Sequence, residues 1–376
     1  MSDLHIPAAV AALYQHAGPF ASVYVDGTRA SEDGAQVVSL RLDALSAQLL
    51  EQGADEKTVA ALTDTAAGGD RAPGRHGLAL IAAGGQVLLE RMLPDPPARE
   101  VAEFSPVPHV LPLLVQSAPR VPHVVVLADH AGADLITVSA EAAGAGSPAA
   151  RTDVAGSRQF PLHQAARDDW SEWHHQNRVA QAWAENAHEV AAAVLEQVQA
   201  VSAELVIVGG EPSALGLLRR DLPGVLPQGV EVAELASASR ASGGDDSVPA
   251  QVRDAVLRHQ WRQRRKVLEH LQQNLGREKW AVAGVAGVID ALRQAQADTV
   301  VLSDDPSSTL KAWIGPQPLD VAQSREDLTA TGVTSPQEVR LDAALVRAIA
   351  GSGARLLITP NAHDYLPEGI GALLRF

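Results

Sequence analysis

Two breaks in a repeating pattern of short apolar runs and helix-period segments constrain this chain most. The first is the proline-marked stretch Pro106 to Pro122, which also holds Pro108, Pro112 and Pro119; the second is the Gly, Ser and Asp segment Ser237 to Asp246. Both interrupt regular structure, one by fixing φ and removing donors, the other by flexible composition. A chain of 376 residues with 46% hydrophobic content has apolar material for more than one core, and at roughly 100–200 residues per domain two or three are expected. The breaks predict three α/β domains at residues 1–116, 117–240 and 241–376.

In the first segment, Phe20 to Asp26 reads as a buried strand, Ala35 to Gln52 and Glu56 to Ala67 as helices, and Gly77 to Ala83 with Gln86 to Glu90 as a hairpin. The second opens with the strand Val121 to Asp129, a reversal over His130 to Asp134 and a returning strand Leu135 to Ser139. A helix from about Trp170 to Val201 and the strand Glu204 to Gly210 follow, an order that suits a ribonuclease H-like or related sheet. The third starts with a long helix, Gln251 to Arg277, continues with a helix around Val282 to Ala295, and places the helix Asp342 to Ala350 between the strands Thr299 to Leu302 and Arg355 to Thr359. An α/β/α sandwich fits that alternation.

Charge narrows the function. With 45 acidic against 30 basic side chains the net charge is -15, which opposes diffuse coating of RNA, because neutralising phosphates takes clustered Lys and Arg. The exception is Gln251 to Trp280, where Arg253, Arg258, Arg262, Arg264, Arg265, Lys266, Arg277 and Lys279 face only Asp254, Glu269 and Glu278. Arg258, Arg262, Arg264, Arg265 and Lys266 are candidate phosphate contacts; a solvated helix face is the plainer reading of the same run. The chain has no cysteine, which removes thiolate chemistry and cysteine-based metal sites. The N-terminal residues lack a basic then apolar leader and no apolar run reaches about 18 residues, so a cytoplasmic protein is expected.

Catalytic motifs are few. Gly84-Gly85-Gln86 lies between two apolar strands, where two glycines and a polar residue are what a hairpin turn requires. His174 and His175 are adjacent, so on a helix they point to different faces, and no third ligand stands at a recognised spacing; no metal or cofactor is expected. The pairs Asp168-Asp169, Asp245-Asp246 and Asp304-Asp305 occur in turn-like contexts that capping and solvation explain. Val206 to Ser213 reads as a strand-to-helix turn without a nucleotide-binding glycine pattern, and no nucleophile-elbow motif occurs. Trp170, Trp173, His174, His175, Gln176 and Arg178 make a polar and aromatic group that either stacks on bases and contacts phosphates or packs on itself.

Taken in order, Gly18 to Asp26, Gly77 to Ala82, Ala128 to Asp134, Gly287 to Leu292, Thr299 to Leu302, Ser352 to Ile358, His363 and Gly369 to Phe376 resemble the archaeal and eukaryotic release factor and Pelota superfamily. The likeness is to its actinobacterial release factor-like branch, the group related to the ribosome hibernation factor Balon. The resemblance implies a three-domain architecture with a ribonuclease H-like middle domain and a C-terminal domain like ribosomal protein L7Ae. It also implies a protein that fills the ribosomal A site in the shape of a tRNA, touches ribosomal RNA and can associate with elongation factor Tu. Members that hydrolyse peptidyl-tRNA carry Gly-Gly-Gln in a middle-domain loop, which residues 156–178 lack, so occupancy without hydrolysis is the expectation. A hydrolase using Gln159, Gln164 or Gln176, and a stress protein acting away from the ribosome, are the alternatives.

Overall fold

The computed structural model describes residues 5–28, 34–68, 74–117, 121–129, 131–140, 150–155, 169–236, 247–277, 280–360 and 362–375. Two compact units are present, one from Ala118–Lys266 and the other from Leu4–Ser117 together with Val267–Phe376. Among the described residues no helix is long and apolar enough to cross a membrane.

The N-terminal segment comprises α1 (Ala8–Leu13), β1 (Phe20–Asp26), α2 (Gly34–Glu51), α3 (Glu56–Gly68), β2 (Gly77–Ala83), β3 (Gln86–Leu93), β4 (Val101–Ser105) and α4 (Leu111–Val115). Its antiparallel sheet has the order β3-β2-β1-β4. Strand β1 is buried on both faces, which is why it reads as a continuous apolar run. Ala21, Val23 and Val25 face Val38, Leu42, Leu45 and Leu49 of α2 and Val59 and Leu62 of α3, while Phe20 and Tyr24 point into a second core. The outer edge of β4 is closed by one side chain: the Gln52 amide donates to Ala102 O at 2.9 Å and its Oε1 accepts from Phe104 N at 2.8 Å, so it imitates a neighbouring strand.

The middle segment comprises β5 (His123–Asp129), β6 (Gly132–Val138), β7 (Ala150–Ala155), α5 (Asp169–Val201), β8 (Leu205–Gly210), α6 (Pro212–Val225), β9 (Glu231–Glu234) and the start of α7 (Ser247–Leu275). The order β7-β6-β5-β8-β9, antiparallel on one side of β5 and parallel on the other, is the ribonuclease H-like arrangement. Alternation along β8 sorts its residues between two cores. Val206 and Val208 pack on Val190, Val194 and Val198 of α5 and Leu218 of α6, whereas Leu205 and Ile207 pack on Val248, Ala255 and Val256 of α7.

The C-terminal segment adds β10 (Ala281–Ala283), α8 (Gly284–Arg293), β11 (Ala297–Ser303), β12 (Lys311–Ile314), β13 (Val321–Ala322), α9 (Arg325–Ala330), β14 (Gln337–Arg340), α10 (Leu341–Ser352), β15 (Arg355–Thr359) and β16 (Ile370–Leu374). The main sheet runs β10-β16-β11-β15, and β13-β12-β14 form a small second sheet. One face of the main sheet packs on α8 and α10 through Val300, Leu356 and Ala372; the other packs on Val267 and Leu271 of α7 through Val301, Leu357 and Leu373. This is the α/β/α sandwich. The helix expected from Val282 starts at Gly284 instead, because Ala281–Ala283 pair with β16, and strand pairing wins over helical spacing there. Phe20 and Tyr24 of β1 share their core with Val288, Ile289, Leu345 and Ile349, so the N- and C-terminal segments form a single unit.

Candidate nucleic-acid interface

Helix α5 begins at Asp169, so the backbones of Trp170, Trp173, His174, His175, Gln176 and Arg178 lie in its first turns. Their side chains, like Gln159 and Gln164, lie outside the described residues. Further along, Ala182, Asn186, Val190, Val194 and Val198 recur every fourth residue as a buried stripe, and its three valines pack in one core with Val124, Val126 and Leu135. Thr137 Oγ1 donates to Gln197 Oε1 at 3.0 Å and ties the helix to β6.

Helix α7 is held in its sheet by Ala255, Val256, His259 and Gln260, all buried. His259 Nδ1 stands 2.8 Å from Glu231 Oε2, and its Nε2 lies 3.9 Å from Glu204 Oε2. The same Glu231 also accepts from Arg262. Arg262 is therefore 46% exposed yet engaged within the protein. Arg258 pairs only with Asp254 one turn back, at 3.5 Å, on the open surface. Arg265 and Lys266 are exposed and Arg264 is half-buried. Sequence reasoning missed Trp261, whose side chain is 67% exposed in the middle of this basic run. The signal was its position: at helical spacing it falls opposite the buried residues.

A separate charged cluster sits in the other unit. His109 is 5% exposed, with Nδ1 3.3 Å from Glu103 Oε2 and Nε2 3.4 Å from Asp342 Oδ2; Arg340 bonds Asp342 at 2.7 Å and approaches Glu103 at 3.7 Å. The Nδ1 contact is an ion pair without the alignment of a good hydrogen bond. Burial disfavours the imidazolium, but Asp342 and Glu103 outweigh it and push the His109 pKa up to about 9. Asp342 suffers the same desolvation, and His109 and Arg340 hold its carboxyl well below the usual range. The backbone is fixed too, since the His109 N–H donates to Ser22 Oγ at 3.1 Å and Tyr24 Oη donates to the His109 carbonyl at 2.7 Å. This cluster lines a cleft of about 350 Å³ with Asp304, Asp305, Leu111 and Val115. Both ring nitrogens face carboxylates, so the histidine has no side from which to activate a nucleophile, and the cluster acts as an ionic tie between β4 and α10.

Gly84 and Gly85 have φ of 56° and 79° and form the β2–β3 turn, with Gly85 N donating to Thr58 Oγ1 at 2.8 Å. Gln86 is the first residue of β3, and this is the chain's one Gly-Gly-Gln. Among the described residues no group of three or more His, Asp or Glu side chains is arranged to hold a metal.

Residues 122–277 match the family model of the bacterial archaeo-eukaryotic release factor family 2. This segment has the release-factor pattern. The chain is similar to the uncharacterized protein Rv2629 of Mycobacterium tuberculosis (strain H37Rv), with 29% identity over 364 residues covering 96% of this chain and 94% of that one. Among solved structures it is similar to ribosome-bound archaeal Pelota with ABCE1 (13% identity, 99% and 96% of the two chains, TM-score 0.41). It is also similar to Archaeoglobus fulgidus Pelota (15%, 80% and 79%, TM-score 0.34) and to S. cerevisiae Dom34 (11%, 68% and 63%, TM-score 0.36).

Proposed function

We propose that this protein is a ribosome-associated translation factor of release-factor type that occupies the ribosomal A site as a tRNA mimic and does not hydrolyse peptidyl-tRNA. The observation that carries the reading is the release-factor pattern over residues 122–277, a segment that contains no Gly-Gly-Gln. Without the two glycines that let an amide approach the ester, binding replaces bond-making, and the outcome is a blocked and shielded A site, as a hibernation factor under stress would provide. The first turns of α5, from Trp170 to Arg178, would reach toward the peptidyl transferase centre. Arg258, Arg265 and Lys266 on α7 would meet ribosomal RNA phosphates, and elongation factor Tu would deliver the protein in the cytoplasm.

Sucrose-gradient co-sedimentation with vacant ribosomes at two salt concentrations tests this. Comigration should weaken as salt rises, and Arg258→Glu with Arg265→Glu should lower both affinity and the steepness of the salt dependence, each lost phosphate contact reducing the log–log slope by about 0.7–1. Release of a nascent peptide from stalled ribosomes would instead establish a hydrolase, and no comigration with or without elongation factor Tu would remove the ribosome from the reading.

A further inference from the structure

The cleft beside His109 contains one charged group that the ionic tie does not explain. Five carboxylates line it, those of Glu100, Glu103, Asp304, Asp305 and Asp342. Three cations face them. His109 and Arg340 answer Glu103 and Asp342, and Arg99 is an exposed side chain of the loop between β3 and β4. Glu100 stands 3.5 Å from Arg41 Nε. Of the Asp304-Asp305 pair, Asp305 behaves as a turn residue: its Oδ1 accepts from Ser307 N at 2.9 Å and from Ser307 Oγ at 2.6 Å, and its Oδ2 lies 3.7 Å from His363. Asp304 does not. Its backbone N–H donates to Thr359 O at 3.1 Å, but its half-buried carboxylate has no hydrogen-bond or ion-pair partner among the described residues. Burial and the neighbouring charge of Asp305 both push its pKa above the usual carboxylate range. The same cleft is lined by Leu111, Pro112 and Val115, and Val115 is left 38% exposed there.

We infer that this cleft binds a small organic cation, an ammonium or guanidinium group on an apolar body, with Asp304 as its counter-ion and Leu111, Pro112 and Val115 against the hydrocarbon. Carboxylates outnumber cations in the lining, which opposes an anion. A neutral apolar molecule would strip water from Asp304 without compensating it. A bare metal ion gains nothing from an aliphatic wall, and among the described residues no set of three or more His, Asp or Glu side chains is arranged to hold one. The volume of about 350 Å³ belongs to the small-molecule range of roughly 300–1,000 Å³, which favours a free molecule over a protein surface. The lining comes from both ends of the chain, α4 and β4 on one side and the residues after β11 on the other, so an occupant touches both and stabilises the unit that they form. This site lies outside residues 122–277 and is independent of the ribosome reading.

The test uses the full-length chain with isotope-labelled Leu and Val methyl groups, titrated with phenethylamine and its guanidine analogue. Phenethyl alcohol and phenylpropionate are the neutral and anionic controls, and a terminally blocked Leu-Arg-Leu peptide presents the same cation from a polypeptide. Both free cations should shift the methyl signals of Leu111 and Val115, and both controls should leave them in place. Asp304→Asn removes charge from an unpartnered side chain, so the variant should fold, and it should weaken cation binding about 5- to 50-fold. Val115→Trp, at an exposed position, should block binding by filling the cleft. Equal binding of amine and alcohol, or unchanged affinity in Asp304→Asn, removes the counter-ion and overturns the inference. Absence of a methyl shift at Leu111 and Val115 with either free cation overturns it as well. Binding of the peptide without binding of either free cation means that the cleft takes a protein side chain, and the small-molecule assignment falls.

Discussion

Replacing His109 by Gln should change how the stability of its unit depends on pH, and the direction follows from the geometry. The imidazolium lies between Glu103 and Asp342, and its pKa rises from 6.5 to about 9 in the folded protein. A raised pKa means that the folded state binds the proton more tightly, so the contribution is complete below the unfolded value near 6.5. It declines as pH climbs from there to about 9 and is gone above it. At 1.36 kcal/mol per unit, the shift is worth on the order of 3 kcal/mol, and the group is buried enough that solvent screening removes little of it. His109→Gln retains a polar side chain but cannot be charged. The stability of wild type minus that of the variant should therefore shrink by on the order of 3 kcal/mol between pH 6 and pH 9.5. Urea titrations read by hydrogen exchange in β1 and α10 assign the transition to this unit. A difference of the same size at both pH values would refute the idea that His109 is cationic in the fold and leave a packing role only.

Two further outcomes are expected. Gly210 has φ of 143° and a Cβ there would come within 1.9 Å of Ala128 O, so Gly210→Ala should destabilise the Ala118–Lys266 unit by about 2–6 kcal/mol, the sum of backbone strain and overpacking, measured by urea unfolding. Gln86→Ala alters an exposed residue beside a hairpin turn, so it should leave stability within about 0.5 kcal/mol and ribosome association unchanged; loss of a peptide-release activity in this variant would contradict the turn assignment.

The local structure was legible wherever one physical signal dominated. β1 spans Phe20–Asp26 and β2 spans Gly77–Ala83, as their uninterrupted apolar runs predict, and the Gly84-Gly85 turn follows from the φ values only glycine takes easily. Strands such as Lys311–Ile314 and Gln337–Arg340 were not legible, because they are short, carry charges and exist only through their pairing. The His109 cluster could not be read at all: Glu103 and Asp342 are 239 positions apart, and no periodicity connects an edge strand near one end of the chain to a helix near the other. On α7 the arginines were visible as a run, but which of them are held by acids of β9 was not.

That last distinction decides where positive charge is available. Arg41 closes on Asp26, Arg219 on Glu234, Arg340 on Asp342 and Arg355 on Asp298, so much of the basic content is spent inside an acidic chain. Arg262 belongs with these, because its partner Glu231 also holds the buried His259, and withdrawing the guanidinium would leave that carboxylate with one contact fewer. Arg258 is different. Its exposed i,i+4 pair with Asp254 is worth only about 0.3–0.5 kcal/mol, so a phosphate can displace the carboxylate at little cost. Arg258 is thus a cation that α7 can turn outward at little cost, whereas Arg262, one turn along, is part of the fold.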